Sequence, residues 1–236
     1  MRIMMLDKNT ENAIALKQYL KKNGFYADVF NDCRLGLIAS QVTSYNVIII
    51  SAGIWLKNNL FILKWWRSNG RKEPILYLAS KDHPSERIYA LIAGADDCIG
   101  MPCDKNEIII RIRRLILLSK NTCGSHYLTH NNVILDPLLM KVFQGNSEIR
   151  LTSREVSILQ ILMLNKNRVI SRKSLEEQLY DWDEYIISNS IEVHICNLRR
   201  KLGRDYIITV RGFGYHLARN DNTDLTTEIV DTQLSE

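Results

Sequence analysis

The chain lacks any apolar run approaching the roughly 20 residues that a helix needs to cross a bilayer, so no stretch of its 236 residues reads as a membrane span. Behind the opening MRIMMLDKN there is neither a longer apolar region nor a small-residue cleavage site, so no secretory leader is expected. Cysteine is sparse and odd in number: Cys33, Cys98, Cys103, Cys123 and Cys196 are scattered, and no two form a CxxC pair. That argues against a disulfide framework and against a zinc site, and for free thiols in a reducing cytoplasm. There is no internal repeat. The net charge of +5 is modest, so no strongly polyionic class is indicated.

What is present is uneven. Residues 1–120 hold 18 basic and 11 acidic side chains, residues 121–219 hold 13 and 10, and residues 220–236 hold none and 5. Two basic regions and an acidic tail are compatible with a nucleic-acid partner without requiring one. The tail, rich in Asp, Thr and Asn, has the composition of a segment without fixed structure. The apolar fraction is ample for real cores, and the length suits one large or two small domains.

The first half alternates short apolar runs with helical periodicity. Strands are expected at 2–6, 26–30, 47–50, 74–78 and around Cys98–Ile99; helices are expected at 10–23, 34–40, 60–68, 85–93 and 105–118. Five such alternations predict a doubly wound, five-stranded parallel sheet. In that fold ligands sit at the carboxyl ends of the strands, which here carry Asp7, Lys8, Asn9, Ser51, Ala79, Ser80, Met101 and Pro102. The polar stretch 120–130 reads as a linker that could merge into a strand near Tyr127. Short strands at 133–136, 140–144 and 148–151, separated by turn residues such as Gly145-Asn146, suggest an antiparallel sheet. Helices follow at 152–163, with Thr152 and Glu155 as a capping box, and at 171–180, capped by Ser171.

The most informative stretch runs from Ser188 to Tyr215. Ile191, Ile195, Leu198 and Leu202 share one face of a helix, and Gly203 suits its end. The opposite face carries Asn189, Val193, Cys196, Asn197 and Arg200, with Glu192 and Arg199 on one flank and His194 and Lys201 on the other. Amide, guanidinium and imidazole groups turned outward suit base edges and phosphates. A hairpin follows, from Tyr206 to Arg211, through Gly212-Phe213-Gly214, and back from Tyr215 to Ala218; Thr209, Arg211 and Tyr215 place polar groups on it. A basic helix followed by a glycine-turned hairpin is the layout of a winged helix-turn-helix. The same pattern also fits a surface helix beside a surface hairpin whose charges are only solvated.

The segments RIMMLDKN, YNVIIIS, PILYLAS, GADDCIGMP and EIIIRIRRL, with LTSREVSIL, SIEVHICNLRRKLG and IITVRGFGY, resemble a response regulator of the OmpR/PhoB family over residues 1–219, nearest its PmrA/BasR branch. The resemblance implies a CheY-like receiver at 1–119, a linker at 120–130, a winged-helix DNA-binding domain with an amino-terminal antiparallel sheet at 131–219, and an acidic tail at 220–236. It also implies a non-enzymatic, cytoplasmic transcription regulator.

The receiver departs from the family where phosphoryl chemistry occurs. The metal-binding acidic positions read Asp7, Lys8, Asn9; the phosphoacceptor aligns with Ser51; the switch Thr with Ala79; the Lys before Pro with Met101. A lysine where a divalent cation should sit, and a hydroxyl where a carboxylate should attack, leave nothing to bind or transfer a phosphoryl group. No metal or cofactor is therefore expected, and Ala79 and Met101 would fill the former pocket.

The resemblance further implies a homodimer through the fourth helix, fifth strand and fifth helix, where Arg87, Glu107, Asp97 and Arg111 match the family's crossed ion pairs. A third pair falls on Asp96, but its partner aligns with Leu118. These charges also read as a solvated surface. For DNA, the matching positions are Asn189, His194, Cys196, Asn197, Arg199, Thr209, Arg211 and Tyr215, with double-stranded DNA read as direct-repeat half-sites. Residues 181–187 match the loop that contacts RNA polymerase. The expected function is a sequence-specific regulator that needs no phosphorylation. The alternative is an interaction protein that heterodimerises with another response regulator and modulates it.

Overall fold

The computed structural model describes residues 1–52, 59–80, 84–120, 127–180 and 190–218. In the first half, five strands, β1 (Arg2–Leu6), β2 (Tyr26–Phe30), β3 (Val47–Ser51), β4 (Ile75–Ser80) and β5 (Asp97–Met101), form one parallel sheet in the order β2-β1-β3-β4-β5. Five helices alternate with them: α1 (Thr10–Lys22), α2 (Cys33–Val42), α3 (Asn59–Ser68), α4 (Pro84–Ala93) and α5 (Lys105–Ser119). β1 and β3 are buried along their whole length, as their unbroken apolar runs require of strands covered on both faces. Alternate residues separate the two cores: Ile3 and Met5 face α1 and α5, while Met4 and Leu6 face the layer that holds Trp66 and Ala90. β5, expected as a two-residue strand, is longer because it pairs with β4 from Leu76↔Asp97 to Ser80↔Met101.

The second half opens with a four-stranded antiparallel sheet of β6 (Leu128–His130), β7 (Val133–Asp136), β8 (Lys141–Gln144) and β9 (Ser147–Ile149). β6 takes up the last three residues of the 120–130 stretch, as the strand into which that stretch could merge near Tyr127, because Leu128 pairs with Leu135 and is buried. Met140 has a φ of 58°, which keeps it out of β8, and the Gly145-Asn146 turn sets Gln144 opposite Ser147, so β9 starts and ends earlier than expected. Three helices follow, α6 (Ser153–Leu164), α7 (Arg172–Leu179) and α8 (Ser190–Leu202), and then a hairpin of β10 (Ile207–Val210) and β11 (Gly214–Leu217). The Thr152–Glu155 capping box and the Ser171 cap both form.

The two halves share a core on the α1/α5 side. Polar contacts also join them. Arg2 Nη1 donates to the Glu177 carbonyl at 3.2 Å, Arg154 Nε to the Tyr26 hydroxyl at 3.2 Å, and Ser157 Oγ to the Gly24 carbonyl at 3.4 Å. The Arg154 guanidinium also lies over the Tyr180 ring, 5.0 Å from its centre. The amino end of the first sheet is thus docked on α6 and α7.

Candidate DNA-binding face and the pocket at the end of the first sheet

α8 buries Ile191, Ile195, Leu198 and Leu202, the apolar stripe of its sequence, against the core. Val193, Cys196 and Arg200 are exposed on the other side, and His194, Asn197 and Arg199 are half-buried. Asn189 lies outside the described residues, as do residues 181–187 and Cys123. Arg200 Nη2 donates to Asn197 Oδ1 at 3.1 Å, so these two side chains form one polar unit on the open face.

Arg199 is not free to meet a ligand with its whole guanidinium. Its Nε donates to the Ile207 carbonyl at 2.8 Å, and its Nη2 to Thr209 Oγ1 at 2.7 Å. It therefore fixes the angle between α8 and the hairpin. Thr209 and Arg211 stay exposed on the hairpin, and Phe213 at its tip is 72% exposed. Tyr215 corrects the sequence-based expectation of a polar contact. Only 8% of it is exposed, its ring belongs to the core, and burial pushes its phenol upward in pKa. Its backbone bridges to Ile170 in both directions, which holds the hairpin against the chain entering α7.

His194 presents a buried Nδ1 without a hydrogen-bond partner, and burial, aided by the nearby Arg154, lowers its pKa. Lys201, on the other outward flank in sequence, turns inward to the Glu155 carboxylate at 2.7 Å. Arg172 on α7 pairs with Glu176 at 2.8 Å and reaches Glu192 on α8 at 3.4 Å. Neither Glu155–Lys201 nor Arg172–Glu192 was legible in sequence, since each joins residues 20 or more positions apart that no local period relates.

At the carboxyl end of the first sheet, Ser51 Oγ donates to Asp7 Oδ2 at 2.8 Å, and Asp7 Oδ1 accepts the Asn9 amide at 2.8 Å. Both side chains are buried. Asn9 caps α1 by accepting from the Asn12 amide, while Lys8 sits exposed between them. Ala79 is fully buried; Met101 is half-buried against the core, and Cys103 Sγ approaches its Sδ at 3.3 Å. Of the pocket residues expected from sequence, Asp7, Ser51 and Asn9 are thus brought together, around a hydroxyl–carboxylate hydrogen bond, while Ala79 and Met101 pack into separate core clusters. No group of three or more His, Cys, Asp or Glu able to hold a metal ion occurs among the described residues.

On the α4–β5–α5 face, Arg111 claims both acids within its own chain. It meets Asp97 at 2.9 Å and Glu107 at 2.7 Å. Asp96 is held by Arg67 at 2.5 Å and accepts the Ile75 amide. Arg87 lies along β5 near Gly100, with no ion pair to Glu107 inside the chain. Ile88, Leu91, Ile92, Ile110 and Leu118 leave an apolar surface beside these charges. Among the described residues no helix is long and apolar enough to cross a membrane.

Comparison with known proteins agrees with this geometry. Residues 146–217 match the family model described as "Transcriptional regulatory protein, C terminal". The chain is 38% identical over 221 residues to the transcriptional regulatory protein QseB of Haemophilus influenzae, covering 93% of this chain and 99% of that one. It is 37% identical to QseB of Escherichia coli O157:H7, over 92% and 99% of the two chains. It is 32% identical to the response regulator protein PmrA of Pseudomonas aeruginosa, over 91% and 97%.

Proposed function

The chain belongs to the OmpR/PhoB family of response regulators, which are DNA-binding transcription regulators, and from that premise we propose that its receiver works without phosphoryl transfer. The observation that carries this reading is the Ser51–Asp7 hydrogen bond of 2.8 Å. The hydroxyl at the end of β3 has a carboxylate acceptor but is itself no carboxylate, so it cannot form an acyl phosphate. Asp7, the acid of the site among the described residues, is spent on Ser51 and on the Asn9 amide. With Lys8 in place of a second acid, a divalent cation has too few hard oxygen ligands. Ala79 and Met101 supply neither the hydroxyl nor the ammonium that would sense a bound phosphoryl group.

In this reading α8 enters the major groove and the β10–β11 hairpin lies along the flanking minor groove. Arg200, Asn197 and Cys196 face base edges, and Arg211 and Thr209 meet the backbone. Asn189 would open that contact set. Two copies would pair through α4, β5 and α5 and read direct-repeat half-sites. Exposed ion pairs contribute only about 0–1 kcal/mol each, so the apolar residues Ile88, Leu91, Ile92, Ile110 and Leu118 carry the dimer. Arg87, Asp97, Glu107 and Arg111 set its register. The 181–187 segment is the expected contact with RNA polymerase. The site needs no cofactor and performs no enzymatic step, and the protein works in the cytoplasm.

The test is DNA binding by the untreated full-length protein to its own upstream region. An acyl-phosphate donor with magnesium is expected to leave no phosphoryl group on the chain and no change in affinity, and Ser51→Ala is expected to bind like the parent. A phosphorylated peptide, or a gain in affinity that depends on the donor, overturns the reading. A protein that sediments as a monomer and binds DNA tightly only when mixed with a second response regulator favours the heterodimer alternative.

A further inference from the structure

At the amino end of the first sheet, opposite the altered pocket, a cleft of about 250 Å3 separates the two halves of the molecule. One wall is Lys22 and Asn23 at the end of α1 with Arg113 of α5; the other includes Met140, Leu151 and Ser153. Arg113 is only 8% exposed. Its Nη1 donates to the Leu138 carbonyl at 2.5 Å, and its guanidinium lies 5.9 Å from the centre of the Phe25 ring. Its Nε is buried and has no hydrogen-bond partner.

That orphaned donor is the informative feature. A guanidinium stays charged even when buried, so each unmet N–H in the interior is a standing cost that an anion would remove. Asp136 offsets part of the Arg113 charge, but its Oδ1 already accepts the Leu138 and Leu139 amides, and no carboxylate lines the cleft. Lys22 adds a second cation, with no ion pair among the described residues. Ser153 is the first residue of α6, so the amino end of a 12-residue helix, offset in part by the Glu155 carboxylate of its capping box, borders the same space.

We propose that this cleft binds a small phosphate-bearing anion, either inorganic phosphate or a phosphomonoester. The Arg113 guanidinium and Lys22 Nζ are its charged groups, and the amino end of α6 supplies the third side. Two cations and a helix terminus converging from three elements suit a doubly charged, tetrahedral group better than a planar carboxylate. The donors come from both halves of the chain, so the anion ties the receiver to the DNA-binding unit and strengthens their docking.

The experiment is calorimetric titration of the full-length protein with inorganic phosphate and, separately, glycerol phosphate. Chloride and acetate at equal ionic strength serve as controls. Saturable binding of about one anion per chain is expected, and the tighter of the two phosphates identifies the source. Lys22→Ala, at an exposed position that leaves the fold intact, is expected to weaken binding about tenfold, the loss of one charged hydrogen bond. Arg113→Met is expected to abolish it, and Ser51→Ala to leave it unchanged. The proposal is overturned by the absence of saturation, by an equal response to chloride or acetate, by parental affinity in Lys22→Ala, or by loss of binding in Ser51→Ala, which would move the anion to the other pocket.

Discussion

Lys201 on α8 places its ammonium 2.7 Å from Glu155 Oε2 on α6, and that carboxylate, 2% exposed, also accepts the Thr152 amide at 2.8 Å. Burial alone would raise the Glu155 carboxyl, but the bonds from Lys201 and the Thr152 backbone outweigh it and hold the group below the usual carboxylate range. One acid thus caps α6 and anchors α8 to it. Glu155→Ala is expected to cost about 2 kcal/mol, from the lost cap and the lost partner of Lys201. Lys201→Met should cost less, since the Thr152 amide still serves the carboxylate. Urea denaturation of both variants decides it, and equal losses would show that the pair, not the cap, dominates.

Gly214 and Gly212 flank the hairpin tip but tolerate change differently. A Cβ on Gly214 would stand 2.1 Å from the Ile170 carbonyl oxygen, at a φ of +149°, so neither the space nor the backbone admits a side chain. Gly214→Ala is expected to break the Ile170–Tyr215 bridge and to cost about 3 kcal/mol or more. Gly212, at φ +79°, meets nothing within 4 Å, so Gly212→Ala pays only for the left-handed backbone, about 1 kcal/mol. Thermal unfolding of the two variants should separate them clearly.

Arg211 and Arg199 carry the same charge and should give different signatures on DNA. Arg211 is exposed on the hairpin, so Arg211→Ala is expected to weaken binding to all sequences and to lower the salt slope by about one, with stability unchanged. Arg199 is bonded to Ile207 and Thr209, so Arg199→Ala should destabilise the protein by about 1 kcal/mol and loosen the hairpin. Its salt slope should change by less than that of Arg211→Ala. An unaltered slope in Arg211→Ala refutes its phosphate contact.

His130 offers a pH test. Its Nε2 donates to the Ala218 carbonyl at 2.8 Å, and its Nδ1 is buried without a partner. Burial lowers its pKa, so the unfolded chain takes up the proton first. Stability is therefore fully present above the ordinary histidine value of about 6.5 and falls as pH drops below it. His194, shifted the same way, adds to the slope. His130→Gln is expected to be less stable at neutral pH but to lose less on acidification from pH 7.5 to 5.5. Parallel pH profiles for parent and variant would show that another group titrates.

Local pattern determined much of this protein. Apolar runs and helical periods placed β1 at residues 2–6 and β2 at 26–30, where the structure has them; β1 is covered on both faces and reads as an almost continuous apolar run, while β2 is an edge strand with Asp28 at its centre. The stripe Ile191, Ile195, Leu198, Leu202 named the buried face of α8, and the residues Asp7, Lys8, Asn9 and Ser51 already carried the proposal of a receiver that works without phosphoryl transfer. Only the tertiary structure decided which outward groups remain available. Tyr215 turned into the core, Arg199 was spent on the hairpin and Lys201 on Glu155. Arg113, which reads in sequence as one basic residue of an amphipathic helix, was left buried between two halves with a donor unmet. Side-chain period reports only which face a residue occupies; what it meets there depends on elements distant in the chain, whose packing no local spacing encodes.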